Sequence, residues 1–209
     1  MKRKLLLMFV ISFTLSVNGQ TKRALIVAIG DYPTETKWND LSSVNDYEIV
    51  HQMLLNQKFE KENIKSLINS EATSFALDEK FKQLLSVCEK GDMIYFHFSG
   101  HGQQVTDTDQ KNINSISDNE EDGYDESLVM YSAPKECDSE YDMSEHYIDD
   151  RLNYWITEIR KKIVDGHVII VLDACHSGTA SRGISSEKKI IRGTKAICDN
   201  SKSTKFDKS

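Results

Sequence analysis

Long apolar runs are missing from this chain. The longest, Leu5 to Val17, is 13 residues interrupted by Ser12, Thr14 and Ser16, short of the roughly 20 needed to span a bilayer. It follows the basic Met1-Lys-Arg-Lys4 and has the length of a signal-peptide apolar region. Residues 1–19 are therefore read as a signal peptide cut after Gly19, with Val17 and Gly19 as the small residues before the cut. This implies export to a periplasmic or extracellular space, with no stable membrane span. No cysteine follows the run, so a bacterial lipid anchor is not indicated.

Cysteine is scarce too. Cys88, Cys137, Cys175 and Cys198 lack the density and spacing of a disulfide-stapled mini-protein. Cys88 ends an amphipathic stretch and is expected to be a buried small hydrophobe. Cys137 and Cys198 lie in polar segments, and nothing in the sequence decides whether they pair. No internal repeat is present. The net charge of −7 hides an asymmetry: 106–150 carries fifteen Asp and Glu against Lys111 and Lys135, whereas 181–209 carries eight Lys and Arg against Glu187, Asp199 and Asp207. Phe206 is the only aromatic residue of that basic tail, which argues against nucleic acid as a partner and for a solvated linker.

What remains suits one globular domain with a substantial core, 39% hydrophobic and 28% charged. Short β-branched runs alternate with helical periodicity, the pattern of an α/β sandwich. Strands are expected at Arg23–Ile29, Ile64–Ile68, Met93–Phe98, Leu128–Tyr131 and His167–Leu172. Helices are expected at Ser42–Asn56, with Val44, Ile49, Met53 and Leu54 on one face, and at Thr73–Val87, with Leu77, Phe81, Leu84 and Leu85 inward. Thr73 suits an N-cap and Gly91 a stop. A third helix follows Asp149-Asp150, its inner face Leu152, Trp155, Ile156, Ile159 and Ile163. Residues 103–127 and 132–147 have no periodicity and are read as loops.

Two segments carry chemistry. Val171-Leu-Asp-Ala-Cys-His-Ser-Gly178 runs from apolar strand into a cysteine among small and polar residues, and Met93-Ile-Tyr-Phe-His-Phe-Ser-Gly-His-Gly102 ends in a glycine-flanked histidine. Parallel strands present their carboxyl ends on one sheet edge, where Cys175 and His101 can meet. An imidazole beside a thiol draws off its proton and stabilises the thiolate. His97 alternates with Tyr95 and is expected in the core. His176 is expected to shape its loop. His97 and His101 lie at a strand end rather than along a helix and do not make a zinc site.

These segments resemble the metacaspase branch of the caspase-like cysteine peptidases, through Ser99-Gly-His-Gly102 and Asp173-Ala-Cys-His-Ser-Gly178, with Ala24-Leu-Ile-Val-Ala-Ile-Gly30, Asn45-Asp46, Asp122-Gly-Tyr-Asp-Glu126 and Ile148-Asp-Asp150 as further matches. True caspases carry Gln where Asp173 stands, and their His lies about 50 residues before the Cys. The resemblance implies a caspase-like three-layer α/β sandwich with a mostly parallel central sheet, spanning residues 20–180 as a large-subunit catalytic domain, with 181–209 a basic linker or tail. It further implies a Cys175/His101 dyad, an oxyanion hole at the main-chain N–H groups of Gly102 and Cys175, and a pocket whose Asp46 and Asp173 pair with a substrate Arg or Lys.

The 118–129 segment fails as an EF-hand, since Val129 stands where a bidentate Glu is needed. By resemblance, calcium ligands fall at Asp125, Asp149 and Asp150, while Arg182 stands at a fourth position. No cofactor is required, and calcium is an optional ligand. Family members continue past the Cys into a small-subunit region, for which 181–209 has too few apolar residues, so that half is expected from missing sequence or from a second chain. The function implied is an exported cysteine endopeptidase acting on polypeptides with basic residues, with self-processing in its own basic tail. The alternative is a catalytically idle caspase-like module that binds a protein partner or calcium.

Overall fold

The computed structural model describes residues 20–106, 124–138, 140–174, 194, 197 and 198. Its elements are, in chain order, β1 (Lys22–Ala28), α1 (Ser43–Asn56), β2 (Ile64–Ile68), α2 (Ser74–Val87), β3 (Met93–Ser99), β4 (Gly102–Thr106), β5 (Tyr124–Val129), β6 (His146–Ile148), α3 (Asp149–Ile163) and β7 (His167–Asp173). The reading of 1–19 as a signal peptide, Cys175, His176, Arg182 and nearly all of 181–209 lie outside the described residues.

A four-stranded sheet in the order β2-β1-β3-β7 is parallel at all three pairings. Its two central strands are apolar on both faces because helices cover both. Ala24 and Ile26 pack with Leu54 of α1, together with Phe59 and Tyr95. Leu25, Val27, Ile94, Phe96 and Phe98 face the other way, toward Leu77, Phe81 and Leu84 of α2 and Trp155, Ile156, Ile159 and Ile163 of α3. Each such side chain stabilises the fold by about 2 kcal/mol relative to exposure.

Thr73 Oγ1 accepts from the Ala76 N–H at 3.1 Å, the expected cap of α2. Asp78 joins α2 to α3 and β6 on the same side of the sheet, accepting from the Tyr147 hydroxyl and from Trp155 Nε1, both at 2.8 Å, with Arg151 beside it. At the opposite end of the sheet Asp92 accepts from Arg23 Nε at 2.9 Å, the Glu89 N–H at 3.0 Å and the Thr21 N–H at 3.2 Å.

Three expectations need correction. The inner face of α1 is not the one read from periodicity: Ile49 and Met53 are 69% and 39% exposed, and Tyr47, Val50 and Leu54 pack inward. The strand expected at Leu128–Tyr131 runs from Tyr124 to Val129. The segments 103–127 and 132–147 are not wholly loop, since β4, β5 and β6 form an antiparallel sheet of their own. Apolar alternation missed it because polar Gln103, Asp125, Ser127 and His146 are buried among its apolar residues. Gln103 Nε2 donates to the Lys135 carbonyl at 2.9 Å, and Ser127 Oγ donates to the Gln103 carbonyl at 2.7 Å.

Residue 198 adds to the edge of that sheet. The Cys198 N–H donates to the Gln104 carbonyl at 3.0 Å, and the Thr106 N–H donates to the Cys198 carbonyl at 3.1 Å. Cys198 is disulfide-bonded to Cys137, with 5.0 Å between their Cα atoms, a separation suited to a bridge. Cys88 is free and buried, as expected. Among the described residues no helix is long and apolar enough to cross a membrane.

Candidate active site

His101 sits where β3 ends, and three hydrogen bonds hold its backbone and ring. Its N–H donates to the Tyr32 hydroxyl at 3.1 Å, and that hydroxyl donates to the Val129 carbonyl at 3.1 Å. Its carbonyl accepts from the Val129 N–H at 3.0 Å. Its Nε2 lies 2.7 Å from the Asn39 carbonyl. A carbonyl only accepts, so Nε2 carries the proton and Nδ1 is the basic nitrogen of the neutral ring.

The ring stacks on Trp38, with centroids 4.5 Å apart and planes 26° apart, and lies against Tyr32 at 5.0 Å. Trp38 is itself fixed, since its Nε1 donates to the Ala133 carbonyl at 3.0 Å and Lys135 Nζ stands 5.3 Å over its ring. Glycine is needed just before the histidine. A Cβ at position 100 would stand 2.8 Å from the Phe98 ring and 2.9 Å from the Tyr32 oxygen.

The same edge receives β7. Ser99 is opposite Asp173 in the β3–β7 register, and the Gly100 N–H donates to the Asp173 carbonyl at 3.3 Å. Asp46, in the first turn of α1, accepts from Ser99 Oγ at 2.6 Å. Asp46 and Asp173 thus flank one residue, Ser99, on the edge that carries His101. Gly102 opens β4, opposite Leu128. Cys175 lies outside the described residues, two positions beyond Asp173. His97 is buried at 5% exposure with its ring parallel to Tyr95, as expected of a core residue.

The three aspartates read as calcium ligands occupy two elements. Asp125 is 6% exposed in β5, and Asp149 and Asp150 form the first turn of α3. Pairing of Ser127 with Ile148 runs the Asp125 end of β5 alongside the start of α3. Their oxygen donors are of the kind a hard cation takes. Sequence reasoning missed Trp38, the Asn39 carbonyl and Ser99. The first two lie in an aperiodic loop, and Ser99 was visible only as part of the Ser-Gly-His-Gly segment.

Residues 22–182 match the metacaspase, peptidase C14 domain. The chain is 32% identical over 143 residues to a protein named Metacaspase-1 from Arabidopsis thaliana, an alignment covering 65% of this chain and 34% of that protein. It is 31% identical over 170 residues to Metacaspase III c from Phaeodactylum tricornutum, covering 76% of this chain and 43% of that one. The chain therefore spans less than half the length of these relatives. A crystal structure of a Geobacter sulfurreducens protein, 22% identical, superposes with a TM-score of 0.55 over 76% of this chain and 52% of that one, and the fold is caspase-like.

Proposed function

This chain belongs to the metacaspase, peptidase C14 family, and on that footing we propose that it is an exported cysteine endopeptidase cleaving polypeptides after Arg or Lys. Cys175 is the nucleophile and His101 the base. The observation that carries this is the joining of the β3 and β7 ends, where the Gly100 N–H meets the Asp173 carbonyl. Two residues span at most about 7 Å, which supports Cys175 as the partner of the His101 presented on that edge.

Asn39 holds the Nε2 proton, and Nδ1 is then the nitrogen that takes the thiol proton. The thiolate attacks the scissile carbonyl carbon, and the main-chain N–H groups of Gly102 and Cys175 stabilise the resulting oxyanion. The imidazolium returns its proton to the leaving amine, and water hydrolyses the thioester. Asp46 and Asp173 supply the negative charge that selects a basic side chain, with Ser99 between them. The basic residues of 181–209 make that tail a substrate for self-processing. Asp125, Asp149 and Asp150 would hold calcium, which supplies positive charge to an acidic region.

A partner region accompanies this reading. Among the described residues β7 is an edge strand, yet Ile169, Ile170 and Leu172 are 42%, 39% and 43% exposed. A parallel strand apolar on both faces belongs inside a sheet. We assign this edge to the small-subunit region, from the same or a second chain. The basic n-region and apolar stretch of residues 1–19 support export.

The test uses fluorogenic peptides ending in Arg, Lys or Asp before the scissile bond, on the assembled protein and its Cys175→Ala variant. Cleavage of the basic peptides by the parent alone is expected. Asp46 and Asp173 would leave an Asp-ending substrate with an unpaired charge, so a preference for Asp would refute the pocket, and activity in the variant would refute the nucleophile.

A further inference from the structure

The Cys137–Cys198 pair has a third member. The two disulfide sulfurs and one ring nitrogen of His146 lie within 4.8 Å of one another. Cys198 is 0% exposed and His146 2% exposed. Ligands around a four-coordinate zinc ion stand about 3.3–3.8 Å apart, given its bond lengths to sulfur and nitrogen, so once the S–S bond of about 2.05 Å is broken the two sulfurs must part by roughly 1.7 Å while the imidazole nitrogen closes on them.

The imidazole is oriented as a ligand would be. Gln103 Nε2 donates to the Lys135 carbonyl, which turns the Gln103 amide oxygen toward His146 Nε2 at 2.9 Å. Nε2 therefore bears the proton, and the Nδ1 lone pair is directed to the Tyr141 hydroxyl at 3.0 Å. Metal-binding imidazoles are held in this way, by an acceptor on the far N–H. The Met143 sulfur, 3.6 Å from Cys198 Sγ, lines the same space.

We propose that Cys137, His146 and Cys198 form a zinc site when their disulfide is reduced. The disulfide takes two electrons and two protons from a dithiol reductant, which is itself oxidised to a disulfide. Zinc then displaces both thiol protons to solvent and takes the His146 Nδ1 lone pair in place of the Tyr141 hydroxyl, with water in the fourth position. Two thiolates and an imidazole select zinc over calcium or magnesium. Residue 198 stays linked to Cys137 in either state, by a covalent bond or by the ion.

The experiment uses the full chain carrying Cys175→Ala, so that the thiol assigned to catalysis does not contribute. It is reduced with dithiothreitol, desalted without oxygen and titrated with cobalt(II). A thiolate-to-cobalt charge-transfer band saturating at one equivalent per chain, bleached by zinc and missing from the oxidised protein, is expected. Adding Cys198→Ser should abolish the band, and His146→Gln should weaken cobalt binding at least tenfold, with circular dichroism checking each fold. No band from the reduced parent, or an equal band after Cys137→Ser and Cys198→Ser together, overturns the assignment.

Discussion

Lowering the pH should weaken this fold through His146. Burial drops its pKa from the ordinary 6.5 to about 4, because desolvation penalises the charged ring. As pH falls, the unfolded chain takes this proton first. The group's stabilisation is thus complete above pH 6.5 and is lost as pH falls toward 4. The full effect is about 3 kcal/mol, of which about 2 kcal/mol is gone by pH 5. Gln103, Tyr141 and the Cys137–Cys198 disulfide surround the ring, and the Glu145 N–H donates to the Tyr141 hydroxyl.

Burial raises the Glu145 pKa, which acts with opposite sign, so parent and variant must be compared. The assay is urea unfolding of the oxidised protein at pH 7 and pH 5, beside His146→Gln, whose side chain cannot titrate. The parent should lose about 2 kcal/mol more than the variant between the two pH values. Equal losses would refute the reasoning.

Trp38→Leu, which removes the ring stacked on His101, should lower kcat at least about tenfold, whereas Trp38→Phe should keep most of kcat and cost about 1 kcal/mol in urea unfolding for the lost bond to Ala133; equal kcat in both would deny Trp38 a positioning role. Calcium should bind weakly, at about millimolar concentration, through Asp125, Asp149 and Asp150. Isothermal titration should show the heat lost in Asp149→Ala, and equal heats from both proteins or tight micromolar binding by the parent would show the site misassigned.

The layers that position the site were legible because burial imposes periodicity. All five inner residues read for α3 are buried, and β1, β3 and β7 lie within a residue of the expected strands. The small antiparallel sheet was illegible because Gln103, Asp125, Ser127 and His146 are buried polar residues in places where a periodicity argument looks for apolar ones. In α1 the three-four rule allowed two faces, and packing against Ala24 and Ile26 selected the one with Tyr47 and Val50. The disulfide joins residues 61 positions apart, a pairing that only the register of residue 198 beside β4 brings about. His101 was readable from its glycines, but its supports, Trp38 and the Asn39 carbonyl, come from a loop whose local sequence carries no pattern.

The central claim is that His101 activates Cys175, and the alkylation rate of that thiol tests it most directly, without needing a substrate or a partner region. Iodoacetamide labelling would be followed across pH by mass spectrometry of the Cys175 peptide, in the parent and in His101→Ala. The account predicts a reactive thiolate well below the ordinary thiol pKa of about 8.5 in the parent, moving toward that value in the variant. Identical profiles in the two proteins would contradict it.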